Sequence, residues 1–274
     1  MAALQGKATT KAMNTIDVEH GVENAQNLAA RERMLSVRGE PLFVADWVEL
    51  FFLHFEVPAE VLQREVPFPL DLFEGRAFVS LVSFQLARLR MFEAPTLTEA
   101  VFQPFTRSHF LNVRAYVTHR GEPGIYFMQE FLSNRLSIPF GRPVYGLPYH
   151  HAAARREIDL KRGRMELELN AAEQRRLELH ASFAAEDIPE RCAAGSLTEF
   201  LLERYTAYTC HRGHKRRFRI WHPPWRQRAV EFQVADKGLL GKAGGWFKEA
   251  EVLGGNFAEL GKDVWMGKPC TIKG

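Results

Sequence analysis

The sequence predicts a mainly β (α+β) fold, an antiparallel, closed or nearly closed β barrel with a few helices packed outside. Three observations predict it. Segments in which apolar and polar residues alternate recur along most of the chain, and that period belongs to half-buried strands. Turn-forming residues separate them, as at Gly121-Glu122-Pro123-Gly124. Helical patterns are few and short, so the apolar strand faces are left to cover one another.

Residues 1–38 read as an N-terminal extension, partly disordered or helical. Residues 18–34 can form a helix, but its apolar stripe is thin and suits a loose segment or one that packs on a partner subunit. Residues 39–274 read as a single β-rich domain. Strand text begins near Phe43, and 47–57 carries large apolar residues on both faces, with His54 sharing a face with Leu50 and Phe52. Pro58-Ala59-Glu60 suits a first helical turn. Residues 77–89 form a long apolar strand. In 109–119 one face carries Leu111, Val113, Ala115 and Val117, and the other Phe110, Asn112, Arg114, Tyr116 and Thr118. That second face mixes aromatic and polar groups, as a cavity wall does. Residues 125–132 return, ending near Gln129 and Glu130, and 156–183 form a meander of half-exposed strands. Ser196-Leu197-Thr198-Glu199 is a capping box. The helix it opens turns Arg204 inward with Leu197, Phe200, Leu201 and Tyr208. Residues 217–222 and 228–234 are two more strands around Pro223-Pro224-Trp225. From about 236 the chain is rich in Gly and Lys and reads as irregular.

Composition narrows the function classes. The chain's 274 residues can bury one large core or two modest ones, and its 21 Phe residues argue against disorder. A formal net charge of +3 is too small to predict a polyanionic partner. The 3 cysteines, Cys192, Cys210 and Cys270, are far apart and form no CxxC pair, which fits a reducing cytoplasm. No apolar run is long enough for a signal peptide or a membrane span, so no membrane partner is expected.

Four chemistries can draw on these residues. A metal would draw on His54, His150, His151, His222 and Glu130, but no HExxH or HxH spacing occurs, and neighbouring histidines on a strand point apart. A nucleophile lacks its GxSxG elbow, and the cysteines lack a motif. Neither a metal nor a cofactor is expected, and phosphate-loop and dinucleotide glycine patterns are absent. Nucleic-acid binding would use the basic 204–230 stretch with Trp221 and Trp225, but a solvated hairpin with internally paired arginines accounts for it better. An enclosed small-molecule pocket accounts for the most residues. Asn112, Arg114, Glu130, Arg142 and Arg204 would hold a ligand, and Tyr149, His150 and His222 would handle protons. The 142–149 segment, Arg-Pro-Val-Tyr-Gly-Leu-Pro-Tyr, is the densest cluster of such handles, on a backbone fixed by Gly and Pro.

Several motifs in order carry a family likeness: Trp47-Val48-Glu49-Leu50-Phe51-Phe52, Asn112-Val113-Arg114-Ala115-Tyr116-Val117, Gly124-Ile125-Tyr126-Phe127, Tyr145-Gly146-Leu147-Pro148-Tyr149, the 198–205 helix and His222-Pro223-Pro224-Trp225. Over about 42–235 the chain resembles the YqjF-like bacterial family of unknown function, in the acetoacetate decarboxylase-like superfamily. The resemblance implies a barrel-like fold around a central cavity. In the decarboxylases a Gly-x-Pro-Lys-Lys segment supplies a Schiff-base lysine. Here Gly146-Leu147-Pro148 is followed by Tyr149-His150, neither of which is a primary amine. The glutamate those enzymes carry on the strand corresponding to Phe110-Leu111-Asn112 is also missing. The expectation is a cavity for a small oxygenated or carboxylate molecule without Schiff-base chemistry. Whether it is catalytic stays open, as does a homo-oligomer. The rival is a non-catalytic interaction or nucleic-acid-associated protein using the 204–230 stretch.

Overall fold

The structure is a computed structural model that describes residues 25–272 apart from Gln174 and Ala243. Its strands are β1 (Phe43–Val57), β2 (Ala77–Met91), β3 (Ser108–His119), β4 (Glu122–Leu132), β5 (Tyr149–Asp159), β6 (Arg164–Ala171), β7 (Arg175–Ser182), β8 (Thr206–His211), β9 (His214–Trp221), β10 (Arg228–Asp236), β11 (Glu251–Met266) and β12 (Cys270–Thr271). Among the described residues they make one mainly antiparallel sheet, in the order β12-β9-β8-β4-β3-β2-β1-β11-β10-β7-β6-β5. Two further pairings bring this order back on itself. Trp221 of β9 meets Trp265 of β11, and the first residues of β5 run parallel to the end of β4. Strands β1 to β4 and β11 therefore belong to two hydrogen-bonded circuits, one continued by β8 and β9 and the other by β10, β7, β6 and β5.

Each circuit has its own core. Phe51, Leu53, Phe55, Leu81, Leu111, Val113 and Ala115 pack with Leu167, Leu179 and Phe232 of the β5–β7 and β10 side. The alternate residues Leu50, Phe52, Val82, Phe84, Phe110 and Tyr116 pack with Phe218 and Ile220 of β9. Because β1 and β2 are covered on both faces over most of their length, they read in sequence as nearly continuous apolar text, whereas β11 keeps Glu259, Lys262 and Asp263 exposed. The meander strands β6 and β7 are covered on one face only and alternate cleanly: Met165, Leu167, Leu177 and Leu179 are buried between charged neighbours.

Among the described residues, five α-helices lie outside the sheet: α1 (Ala25–Leu35), α2 (Ala59–Gln63), α3 (Pro95–Phe102), α4 (Ile138–Tyr145) and α5 (Leu197–Leu202). The capping box of α5 forms, with Ser196 Oγ accepting from Glu199 N at 3.1 Å and Glu199 reaching back to Gly195 N at 2.7 Å. Two expectations need correction. The described end of the N-terminal extension is docked on its own chain, where Ala30 and Met34 pack with Val44, Tyr205, Trp221 and Trp265. Asn27 also donates to the Tyr205 hydroxyl and to the His222 carbonyl, at 2.9 and 2.7 Å. The reading of disorder otherwise concerns residues outside the described ones. Nor is the segment after 236 irregular throughout, because β11 pairs along the length of β1. Two glycines of β11 mark close approaches rather than loops. A Cβ on Gly255 would stand 2.4 Å from the Phe52 carbonyl oxygen, and one on Gly261 would stand 2.3 Å from the Trp225 ring.

Gly255→Ala should therefore strain the β1–β11 ladder and destabilise the chain by about 1–3 kcal/mol, read as a shifted urea midpoint. An unchanged midpoint would show that this backbone approach is not held.

Candidate functional site

Register brings three polar side chains abreast. Asn112 of β3 is the partner of Glu130 on β4, and Glu130 is the partner of Tyr149 on β5. A bulge makes this possible: β3 pairs Val113 with Gln129 but Arg114 with Phe127, so one β4 residue is skipped. Phe127 and Glu130 then face the same side, which strict alternation would forbid. Tyr149 follows α4, whose last turn ends at Gly146 in the left-handed conformation (φ 71°). The first half of the 142–149 segment is thus helical rather than an irregular loop. Thr209 donates to the Tyr145 carbonyl at 2.6 Å, and Arg216 donates to the carbonyls of Pro143 and Val144 at 2.8 and 3.0 Å. Gly141 lets the Tyr149 ring pass, since a Cβ there would lie 2.0 Å from ring carbon Cε2.

The three residues line a pocket of about 420 Å³. Its walls are otherwise almost wholly apolar: Trp47, Phe84, Phe110, Phe127, Phe218 and Ile220 from the sheet, with Phe102, Phe105 and Val144 from the segments outside it. The aromatic rings brace one another. Trp47 stacks on Phe84 at 4.4 Å, Phe84 on Phe110 at 5.2 Å, and Phe110 meets the Tyr149 ring edge-on at 6.3 Å.

This environment sets the protonation of the polar end. Burial in apolar surroundings raises the Glu130 carboxyl to about 8, so it is a neutral acid at pH 7. Its Oε2 is buried without a hydrogen-bond partner, and so is Asn112 Oδ1. Burial, then the nearby Glu130 and Tyr145, holds the Tyr149 phenol well above its ordinary value. At neutral pH the site thus offers hydrogen-bond donors and acceptors without a fixed charge.

The other expected residues lie elsewhere. Arg142 is exposed and donates to the Tyr149 carbonyl at 2.7 Å, fastening the start of β5 rather than reaching the pocket. His150, next along β5, lies over Phe131 at 5.6 Å in a separate open depression with Arg135 and Arg175. Burial, then Arg142 and Arg175, lowers its pKa. Arg114 shares a β3 face with Asn112, but its Nη2 donates to the Leu201 carbonyl at 2.9 Å and its guanidinium lies over the Phe52 and Tyr116 rings. Arg204 is buried, but beyond the end of α5 rather than on its stripe, with Tyr208 on β8; its anion is internal: Nη1 meets Asp71 Oδ2 at 2.6 Å and Nε meets the Phe200 carbonyl at 2.5 Å. His222 is packed 4.1 Å from Trp225, with Nδ1 2.9 Å from the Pro223 carbonyl oxygen. Burial holds it near 3, and it does not touch the pocket. In the basic stretch, Arg217 pairs with Glu122, Arg219 with Glu40 and Arg228 with Glu259.

A buried chain that sequence reading missed runs beyond the pocket: His54 Nδ1 lies 2.7 Å from Ser80 Oγ, Ser80 lies 2.6 Å from the Tyr116 hydroxyl, and His54 Nε2 lies 3.1 Å from Asn256 Oδ1. Period-2 spacing could have placed His54, Ser80 and Tyr116 on inner faces, but nothing in the sequence announced that those faces meet. Burial, then Arg114, lowers His54 to about 3.

Comparison with known proteins bears on both fold and family. Residues 44–253 match the DUF2071 family, described as an uncharacterized conserved protein. The uncharacterized protein YqjF of Bacillus subtilis is 30% identical over 192 residues, covering 69% of this chain and 76% of YqjF. Three solved structures share the fold at low identity. An acetoacetate decarboxylase-like enzyme from Sphingomonas wittichii RW1 superposes with a TM-score of 0.59 at 13% identity, covering 85% of this chain and 94% of that one. The acetoacetate decarboxylase of Legionella pneumophila gives 0.56 at 12%, covering 85% and 87%. The enduracididine biosynthesis enzyme MppR, complexed with pyruvate, gives 0.58 at 13%, covering 87% and 93%.

Two outcomes follow from these environments. Asp71→Ala leaves the Arg204 guanidinium buried without its carboxylate and should cost about 3–5 kcal/mol in urea unfolding; a loss below 1 kcal/mol would mean that the pair is not held. For Glu130, the folded carboxyl titrates near 8 against an ordinary 4.5. Between those values the folded chain keeps a proton that the unfolded chain has lost, so stability falls as pH rises, by about 1.4 kcal/mol per unit. Glu130→Gln should remove that decline, matching wild type near pH 4.5 and exceeding it most above pH 8. Parallel stability curves for the two proteins would contradict the assignment.

Proposed function

The chain belongs to the DUF2071 family of uncharacterized conserved proteins, and from that premise we propose that its pocket holds a small oxygenated molecule whose polar end meets Asn112, Glu130 and Tyr149. The observation that carries this reading is the buried, unpartnered Oε2 of Glu130 facing a hollow with room for a ligand. A carboxylic acid held neutral in an apolar wall is poised to donate a hydrogen bond, or a proton, to a carbonyl or enolate oxygen. Asn112 and Tyr149 flank it and fix the angle at which that oxygen arrives. We read the two strand circuits as adjoining barrels, with the pocket opening inside the β8–β9 one.

No lysine lines this pocket among the described residues, so the reading has no covalent imine in it. The fold relatives lend it a pocket in a β framework, but at 12–13% identity they lend no reaction. The three unpaired cysteines suit a reducing compartment, and we take the chain to act in the cytoplasm. The nucleic-acid alternative gains no observation in its favour, since Arg217, Arg219 and Arg228 are engaged with carboxylates of the same chain.

Two experiments test this. Incubation with acetoacetate and borohydride should leave the mass of the chain unchanged; a reduced lysine adduct would overturn the non-imine reading. Saturation-transfer NMR with cyclohexanol should give a signal in wild type that falls on the order of tenfold in Asn112→Leu and in Glu130→Ala, the first loss removing an acceptor and the second a donor for its hydroxyl. Equal signals in all three proteins would contradict the site.

A further inference from the structure

We infer that the ligand of this pocket is an uncharged, predominantly apolar molecule with one oxygenated end, such as an aryl-alkyl ketone or alcohol, and not a carboxylate. The inference rests on the proposed role of the pocket and narrows its ligand class.

Charge decides the point. A carboxylate drawn into an apolar hollow needs a cation or several donors within reach. The sequence offered three arginines for that purpose, and each is engaged elsewhere: Arg114 on the Leu201 carbonyl, Arg142 on the Tyr149 carbonyl, and Arg204 on Asp71. No lysine, arginine or histidine is among the residues lining the pocket. The charge-bearing side chain that does line it, Glu130, would repel an anion once ionised. Among the described residues, the other titratable lining groups are the phenols of Tyr149 and Tyr145, and Tyr145 already donates to the Gly267 carbonyl at 3.1 Å.

Shape and polarity agree. A volume of about 420 Å³ takes a ring with a short chain. Two unpartnered polar atoms stand on residues paired across β3 and β4: Glu130 Oε2, which donates when protonated, and Asn112 Oδ1, which accepts; the Trp47 indole Nε1 in the wall is buried without a partner as well. A carbonyl oxygen answers the first and a hydroxyl answers both. Around them Trp47, Phe84, Phe110 and Phe127 offer ring faces and edges to an apolar body.

The test uses a matched pair of probes, 4-phenylbutan-2-one and 3-phenylpropanoate, which differ in a methyl group against a carboxylate oxygen. Each is titrated against the full chain at pH 7, read by tryptophan fluorescence, because Trp47 forms part of the wall. Phe127→Trp fills the pocket and serves as the locus control, and Glu130→Ala, which removes the donor without adding bulk, serves where that fill disturbs folding. The ketone should bind wild type at least on the order of 100-fold more tightly than the carboxylate, the cost of an uncompensated buried anion. Phe127→Trp should abolish ketone binding, and Glu130→Ala should weaken it on the order of tenfold. Carboxylate binding within tenfold of the ketone, and lost in Phe127→Trp, would overturn the uncharged class while leaving the pocket as the binding site. Failure of both probes to bind, or ketone binding that survives the filled pocket, would overturn the site reading and this inference with it.

Discussion

Four strands, β1 to β4, are covered on both faces over most of their length because each takes part in two hydrogen-bonded circuits, which β11 joins. That constraint organises everything else. A strand with two buried faces has no solvated side on which to place polar residues, so any polar group it carries must be satisfied internally or turned toward a hollow. His54, Ser80, Tyr116 and Arg114 take the first course through hydrogen bonds to one another or to Asn256 and the Leu201 carbonyl. Asn112 and Glu130 take the second and define the pocket.

The pocket is in turn a consequence of one local irregularity. Without the bulge opposite Val113 and Arg114, β4 would present Gln129 where it presents Glu130. The β4–β5 pairing then sets Tyr149 beside the carboxyl, and Gly141 leaves room for the Tyr149 ring. The result is a preorganised polar end in a low-dielectric wall, where the neutral form of a carboxylic acid is favoured and its donor strength is undiluted by water.

Much of this was legible in the sequence. The two-faced character of 109–119 showed directly in the alternation of Phe110, Asn112 and Tyr116 with Leu111, Val113 and Ala115, and the meander after 156 showed in its charged-apolar alternation. Family membership and the decarboxylase-like fold were legible in short motifs. What failed has physical reasons. Strand β11 was hidden because Gly254, Gly255 and Gly261 read as loop residues, whereas two of them are required by the Phe52 carbonyl and the Trp225 ring. The arginines suggested an anion site because a buried guanidinium needs a partner, but sequence cannot say whether that partner is a ligand, a carbonyl or Asp71. Glu130 stood out as a polar group beside apolar text, but its facing direction depends on the bulge, and no period-2 pattern reveals a skipped residue.

The neutral acid at Glu130 is the claim on which both the pocket's chemistry and its ligand class turn. Infrared difference spectroscopy between wild type and Glu130→Gln, across a pH titration, measures it directly. The account predicts a protonated-carboxyl band at pH 7 that belongs to Glu130 and disappears with a midpoint near 8. A Glu130 already ionised at pH 6 would contradict it, because the carboxyl would then have a charge partner or water that this arrangement of side chains does not provide.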